Sequence, residues 1–290
     1  MILRISFSGG RTSGRMTKEL LDAHKNGTLL DPFGKRYEKV IVTFANTGCE
    51  HFLTLLFIHN CDAHFGFNTV WLEAEVNPKK GVGNDFRVVT YETASRKGEP
   101  FEAYIAKHGI PNMAFPKCTS ELKASVMNAY RRALGLKKKD CVTAIGIRVD
   151  ESRRVNKAAV KENIIYPLID MFPMDKQDVI DWWKDQPFDL EIPEHLGNCT
   201  WCWKKSFSKH LHVMQDMPEA FDFPERMEMK YPLVGPEKPI VPRRFFRKYM
   251  SVSDIRNHHS MLAGNLPKIA KQEDYGGCSE SCELFPMEEK

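Results

Sequence analysis

"RISFSGGRTSG", residues 4–14, decides the fold of this chain. The apolar run Ile2-Leu3-Arg4-Ile5-Ser6-Phe7 reads as a strand and stops at Ser8-Gly9-Gly10. From Thr12 through His24 the pattern turns helical. A strand that ends in glycines and opens into a helix is a ready anion site. Backbone N–H groups at the helix start point outward, and glycine lets a phosphate approach the main chain. Ser8, Thr12 and Ser13 add hydroxyl donors, and Arg11 adds charge. The loop has neither the lysine spacing of a Walker A sequence nor the G-x-G-x-x-G dinucleotide fingerprint, so by itself it is equally consistent with a plain turn.

Working outward, residues 1–75 read as a βαβαβ run. Strands are predicted at 2–7, 39–44 ("KVIVTF") and 69–73 ("TVWLE"), with helices at about 12–25 and 51–65 between them. Strands alternating with helices of this length predict an α/β fold, a doubly wound parallel sheet with helices on both faces. Residues 77–101 are Gly-rich and charged, and read as a long loop with a short strand near 87–91. Helices are expected near 101–107 and 120–134, a buried strand at 140–148 ("DCVTAIGIR"), and a helix at about 175–185 after "IIYPLID". Beyond 186 Pro, Trp and Met increase. The expected organisation is therefore an α/β domain over 1–185 and a smaller, mostly helical and irregular C-terminal region over 186–290 packed on it. No internal repeat is visible.

At 290 residues and 42% hydrophobic content the chain can bury a substantial core. No apolar stretch approaches the ~20 residues that span a bilayer. Met1 leads straight into a strand, so no signal peptide is expected, and the reading is a soluble cytoplasmic protein without membrane partners. A net charge of +4 does not by itself require nucleic acid. Two stretches keep nucleic acid open as a partner: "YRRALGLKKKD", 130–140, and "PRRFFRKYM", 242–250, in which Phe245, Phe246 and Tyr249 alternate with cations. Aromatic rings among cations can stack bases.

Eight cysteines in a reducing compartment do not read as a disulfide framework. Cys61 and Cys141 sit in apolar surroundings and read as buried small hydrophobes. Cys118 ("FPKCTSELK"), Cys199 and Cys202 ("GNCTWCWKKS"), and Cys278 and Cys282 ("YGGCSESCEL") differ. A Cys-x-x-Cys turn brings two thiolates to one metal. By ligand type these residues suit zinc or an iron–sulfur cluster equally. Trp201 and Trp203 flank the pair and would shield such a site from water.

Five segments in order carry a resemblance. Ser8–Ser13 resembles the pyrophosphate-binding loop S-G-G-x-D-S of the adenine nucleotide alpha-hydrolase-like superfamily. "FANTGCEHFLTLLFI", 44–58, "CTSELKASV", 118–126, "GIRVDESRR", 146–154, and "YPLIDMFPMDKQDVIDWW", 166–183, resemble successive segments of the phosphoadenosine phosphosulfate (PAPS) reductase family. The resemblance covers about residues 1–205. It implies that Ser8, Gly9, Gly10, Arg11, Thr12 and Ser13 hold nucleotide phosphates. Thr43 and Ala45 would pass beside the adenine, and Thr47 and Gly48 would shape the adjoining loop. Lys123 would face phosphate or sulfate, and Gly146 would permit close approach. Arg148 with Arg153 or Arg154 would neutralise the anion. Glu151 would orient an arginine or bind a metal such as magnesium.

The resemblance also implies an adenine nucleotide as ligand and a [4Fe–4S] cluster. The gap from Cys118 to Cys199, completed by Cys202, resembles the cluster-binding spacing of the adenosine phosphosulfate reductases, with Thr119 in place of the second cysteine of their Cys-Cys pair. Cys278 or Cys282 would supply the fourth ligand or the attacking thiolate, assisted by Lys123 and Arg148 as catalytic groups. A structural zinc on Cys199, Cys202, Cys278 and Cys282 is the alternative. Thr12 stands where the resembled loop has Asp, and no histidine follows Cys278 or Cys282 as it does in the reductases' terminal motif. The expected activity is sulfur-related reduction or transfer on an adenine nucleotide. The alternatives are ATP-dependent thiolation of nucleic acid and a nucleotide-binding module with degenerate chemistry. The electron donor is unspecified, and a homodimer stays open.

Overall fold

The computed structural model describes residues 1–235, 240–262 and 264–269. Its centre is a six-stranded sheet in the order β4-β3-β2-β1-β5-β6. The strands are β1 (Ile2–Ser6), β2 (Lys39–Asn46), β3 (Val70–Glu75), β4 (Asp85–Val89), β5 (Cys141–Ile145) and β6 (Ile164–Ile165). All neighbours are parallel except β4, which runs antiparallel to β3 at one edge. The α/β reading from the sequence therefore holds. The sheet is mostly rather than wholly parallel, because β4 returns from β3 through a short loop instead of a helical crossover.

The helices are α1 (Arg11–Lys25), α2 (Phe52–Phe65), α3 (Glu99–His108), α4 (Ser125–Ala133), α5 (Pro167–Asp170), α6 (Lys176–Lys184), α7 (Phe207–Asp216), α8 (Asp222–Lys230) and α9 (Val252–Leu262). A π-helical turn, Ser120–Ala124, runs directly into α4. The strands sort side chains by parity. Leu3 and Ile5 of β1, and Phe7 just beyond it, point into a core with Met16 and Leu20 of α1, Phe57 and Ile58 of α2, and Trp183 of α6. On the other face Ala45, Leu72 and Ala74 meet Phe101 and Ile105 of α3, Val126 of α4, and the C-terminal residues Trp201, Val213, Phe221 and Ile255. The C-terminal region thus shares one continuous core with the sheet.

That packing changes the reading of one basic stretch. Phe245 and Phe246 are buried members of this core, so they offer no ring to a base, and only Tyr249 of the three lies exposed. No helix among the described residues is long and apolar enough to cross a membrane.

Candidate functional site

The chain leaves β1 for β2 on one side, and the later strand β5 lies on the other. Strand order reverses at this point, and open α/β sheets place ligands in the crevice outside the carboxyl ends of such strands. Two loops meet there. The first is Ser8–Gly10, leading into α1. Gly10 is extended at φ −104°, and no side chain caps the helix. The Ser13 hydroxyl closes the loop, donating to the Gly10 carbonyl at 3.0 Å and accepting from the Ser8 amide at 3.2 Å. Ser8 Oγ lies 3.0 Å from Ser13 Oγ.

The second loop follows β5. A Cβ on Gly146 would stand 3.1 Å from Ser13 Cα, so glycine here lets the two loops touch. Arg148 is buried, and its Nη1 donates to Thr12 Oγ1 at 2.8 Å. Its Nε and Nη2 donate to Asp150, at 3.0 and 3.1 Å. Hydrogen bonding and attraction from Arg148 outweigh burial and hold the Asp150 carboxyl below the ordinary range. Glu151 lies 3.6 Å from Arg148 Nη1 and accepts from Arg154 at 2.5 Å. Glu151 thus stands between two arginines. Arg153 is exposed.

Arg11 is placed differently from the expectation. Its guanidinium makes a paired contact with Asp189 at 2.7 and 2.9 Å, and also reaches the Leu190 carbonyl. It fastens the segment after α6 beside the glycine loop. The glycine loop and the segments around Lys176 and 190–198 enclose a cavity of about 230 Å³ lined by Ser8, Gly9, Gly10, Arg11, Lys176 and Asn198, among others; the loop after β5 does not line it. Thr43 and Ala45 are interior residues of β2, which continues to Asn46; Thr43 Oγ1 donates to the Ile5 carbonyl.

Beyond β2 the chain builds a second cluster. Thr47, Cys118, Thr119, Lys123, Cys199 and Cys202 line one small cavity with Trp201 and Trp203. Cys118 lies just ahead of the π turn that carries Lys123, and π turns inside helices often occur at functional sites. Lys123 is buried with its ammonium 3.6 Å from Glu50, whose side chain is 1% exposed. The sequence reading sent Lys123 toward phosphate; the structure turns it to this carboxylate and the thiols. Glu50 also accepts from the Thr47 amide and hydroxyl, both at 2.9 Å, and from the Cys49 amide at 3.2 Å. Thr47 Oγ1 is 3.5 Å from Cys199 Sγ. Glu50 pairs with Cys199 in an isolated antiparallel bridge, which fastens the Cys-x-x-Cys turn to the β2 exit.

Burial pushes the Cys199 thiol well above its usual range, and Glu50 adds to this while Lys123 opposes it. The neighbouring Cys49 thiol is raised for the same first reason. Among the described residues no group of three or more His, Cys, Asp or Glu side chains stands close enough to hold a single metal ion. Cys278 and Cys282 lie outside the described residues.

The sequence marks Cys49 only as an isolated cysteine and gives no sign of Glu50, although both fall inside the quoted segment "FANTGCEHFLTLLFI". Nor does it mark Glu73, a fully buried carboxylate that accepts from Asn46 at 2.6 Å, from Ser95 and from Arg87. Asn46 in turn accepts from the Gly48 amide and so sets the loop that follows β2.

A mostly parallel six-stranded sheet between helical layers, with a glycine loop and a buried arginine at its switch point, defines the class: an α/β protein with a crevice at the carboxyl edge of the sheet. Within that class, the chain is 32% identical over 296 aligned positions to "Uncharacterized nin region protein ORF290" of Escherichia phage lambda, covering 98% of this chain and 96% of the relative. The chain belongs to the family of that phage protein. No protein-family profile matches it, and no solved structure does.

Proposed function

We propose that the protein is an enzyme of the PAPS-reductase type, which binds an adenine nucleotide at Ser8–Ser13 and carries out sulfur reduction or transfer beside its cysteines. One observation carries this reading. The glycine loop with its arginine, and the cavity lined by Cys118, Cys199 and Cys202, both open from the carboxyl edge of one sheet. Phosphate at the loop would meet the Ser8 hydroxyl and the start of α1, with the positive charge of the buried Arg148 behind Thr12.

Cys118, Cys199 and Cys202 would hold an iron–sulfur cluster, with Cys278 or Cys282 as a fourth ligand. The chemistry of the set fits, since three thiols line one space beside a lysine and two indoles, but the thiols do not converge here and would have to be drawn together. That space is about 20 Å³, so its walls must part to admit a cluster. One wall is the turn-rich segment 200–205. When bound, the cluster would supply electrons or a site for sulfide. The protein's own groups act around it. Lys123 sets positive charge against thiolates that burial otherwise disfavours, and Trp201 and Trp203 exclude water. Zinc on the Cys-x-x-Cys turn is the second reading, favoured by that turn's fastening to the fold.

The test is anaerobic purification with iron supplied, followed by visible absorption, metal analysis and thermal shift with PAPS, adenosine phosphosulfate or ATP. The proposal expects a coloured protein and a raised Tm with at least one nucleotide. A colourless protein that responds to none of them rejects it.

A further inference from the structure

A third space lies on the far side of Trp201. It has a volume of about 490 Å³ and shares Trp201 with the cysteine cavity, and Gly48, Cys49 and Thr200 form part of its lining. Part of its wall is aromatic. Trp201 and Phe223 stack with centroids 5.5 Å apart at 26°. Across from them Phe52 is 60% exposed, with its ring 4.7 Å from that of His51. An exposed phenylalanine at the start of α2 gains nothing for the fold by standing there.

Three cations line the same space: Arg96, Lys97 and Arg226. All are exposed. Arg96 is steered by the Ala94 and Tyr91 carbonyls, which orient its guanidinium without neutralising it. Arg226 lies 5.4 Å over the Phe223 ring. Three acids line it too, but two are spent. Glu50 faces Lys123, and Asp222 pairs with Arg256 at 3.3 Å. Glu219 is left against three positive charges. Cations beside the rings of a concave space match a nucleotide, with phosphate on the guanidinium and ammonium groups and a base against the exposed Phe52 ring.

We propose that this cavity binds single-stranded nucleic acid. A free mononucleotide offers the same chemistry, but three separate cations are more than one phosphate monoester needs. A duplex keeps its base faces stacked and cannot present one to Phe52. The binding claim stands by itself; only its meaning as the acceptor side of the sulfur chemistry rests on the proposed function.

The basic run at 130–140 is the natural control. Lys138–Asp140 directly precedes β5, at the amino edge of the sheet, whereas the cavity follows β2 at the carboxyl edge. Fluorescence anisotropy of a short labelled oligouridylate or oligothymidylate with the full chain, between about 50 and 200 mM salt, provides the measurement. Saturable binding that weakens with salt is expected. K97E/R226E should weaken it at least tenfold and flatten the salt dependence. F52A should weaken it about fivefold or more, in line with stacking worth ~1–3 kcal/mol per base, and leave the salt slope unchanged. R132E/K139E should bind as wild type does. Thermal melting of each variant checks folding. No saturable binding overturns the proposal. So does loss in R132E/K139E with the cavity variants unaffected, and so does competition by uridine monophosphate as effective as by unlabelled oligomer. ATP binding measured on the same preparations tests the glycine loop separately, so its failure rejects the proposed function and not this site.

Discussion

Arg148 Nη1 donates to Thr12 Oγ1 at 2.8 Å, joining the loop after β5 to the first turn of α1. Both side chains are buried. A buried guanidinium at a helix N-terminus is electrostatically uphill, because the helix end already carries partial positive charge. Asp150 and Glu151 compensate it from the other side. Threonine completes the arrangement, since its hydroxyl accepts one bond without cancelling the arginine's charge. An aspartate at position 12 would form an ion pair there and leave less positive potential for an incoming anion.

Arg148→Ala should therefore weaken adenine nucleotide binding by about tenfold or more, given roughly 1.5–3 kcal/mol for a hydrogen bond to a charged group. Titration calorimetry with the nucleotide that gives the largest thermal shift measures this directly. Arg148→Lys should recover only part of the loss, because a lysine cannot reach Thr12 and Asp150 with fixed fork geometry. An unchanged Kd in Arg148→Ala at physiological salt rejects the anion role and leaves Arg148 as a structural tie between the loops.

Gly9 has φ +81°, and a Cβ there would lie 2.7 Å from Thr54 Cγ2 and 2.9 Å from Ile58 Cδ1. The sequence suggests that a side chain at Gly9 would occupy the phosphate position. The structure points it instead into α2. Gly9→Val should thus destabilise the fold by about 2 kcal/mol or more, from left-handed strain and overpacking together. Chemical denaturation reads this without any ligand. A variant as stable as wild type would show that α2 yields at no cost, and the loop would then be less tightly built than its contacts indicate.

The fold was legible because its signals are local. Short apolar, β-branched runs in "RISF" and "KVIVTF", each followed by glycine or a polar turn and then a helix, needed no tertiary information. β2 nevertheless runs two residues past its predicted end, since Ala45 and Asn46 pair with β3 rather than following any pattern of their own. β6 has only two residues, Ile164 and Ile165, too few for a period. The site was legible where a residue's role follows from its type beside a glycine, as with Thr12, Ser13 and Arg148. It was not legible where a long side chain must choose among distant partners. Arg11 turned to Asp189, 178 positions away, and Lys123 to Glu50. Phe245 and Phe246 look like a base-stacking pair in sequence and are core, because only the packing of α7–α9 decides which side of that segment faces inward.

His210 supplies a pH dependence with a definite sign. Its ring is buried against Phe246, with centroids 4.6 Å apart, and neither ring nitrogen has a hydrogen-bond partner among the described residues. Burial, with Lys205 and Arg247 nearby, pulls its pKa down to about 3. An unfolded histidine takes up its proton near pH ~6.5. The unfolded state therefore binds more protons between these values, and stability is lost as pH falls from ~6.5 toward 3, at up to roughly 1.4 kcal/mol per pH unit. His210→Phe removes this term. Between pH 7 and 4.5 the wild type should lose about 2–3 kcal/mol more than the variant in urea unfolding. Parallel pH profiles for the two proteins would show that His210 ionises normally in the fold.

Cys118 separates the two metal readings. Both need Cys199 and Cys202, whose turn is bound to the sheet through the Glu50 bridge, so mutating that pair discriminates nothing. Cys118 comes from another part of the chain, ahead of the π turn, yet it lines the same cavity as the pair. A cluster at the reaction site uses it; a zinc site completed by Cys278 and Cys282 has no need of it. Cys118→Ser, reconstituted anaerobically with iron and sulfide, should therefore fail to develop visible absorption. Cys61→Ala is the control, because Cys61 is buried in the opposite core among α2 residues, and it should load as wild type does. Stoichiometric zinc in the wild type, with Cys118 open to alkylation and no iron bound when iron is supplied, rejects the cluster and leaves the Cys-x-x-Cys turn as a structural zinc site.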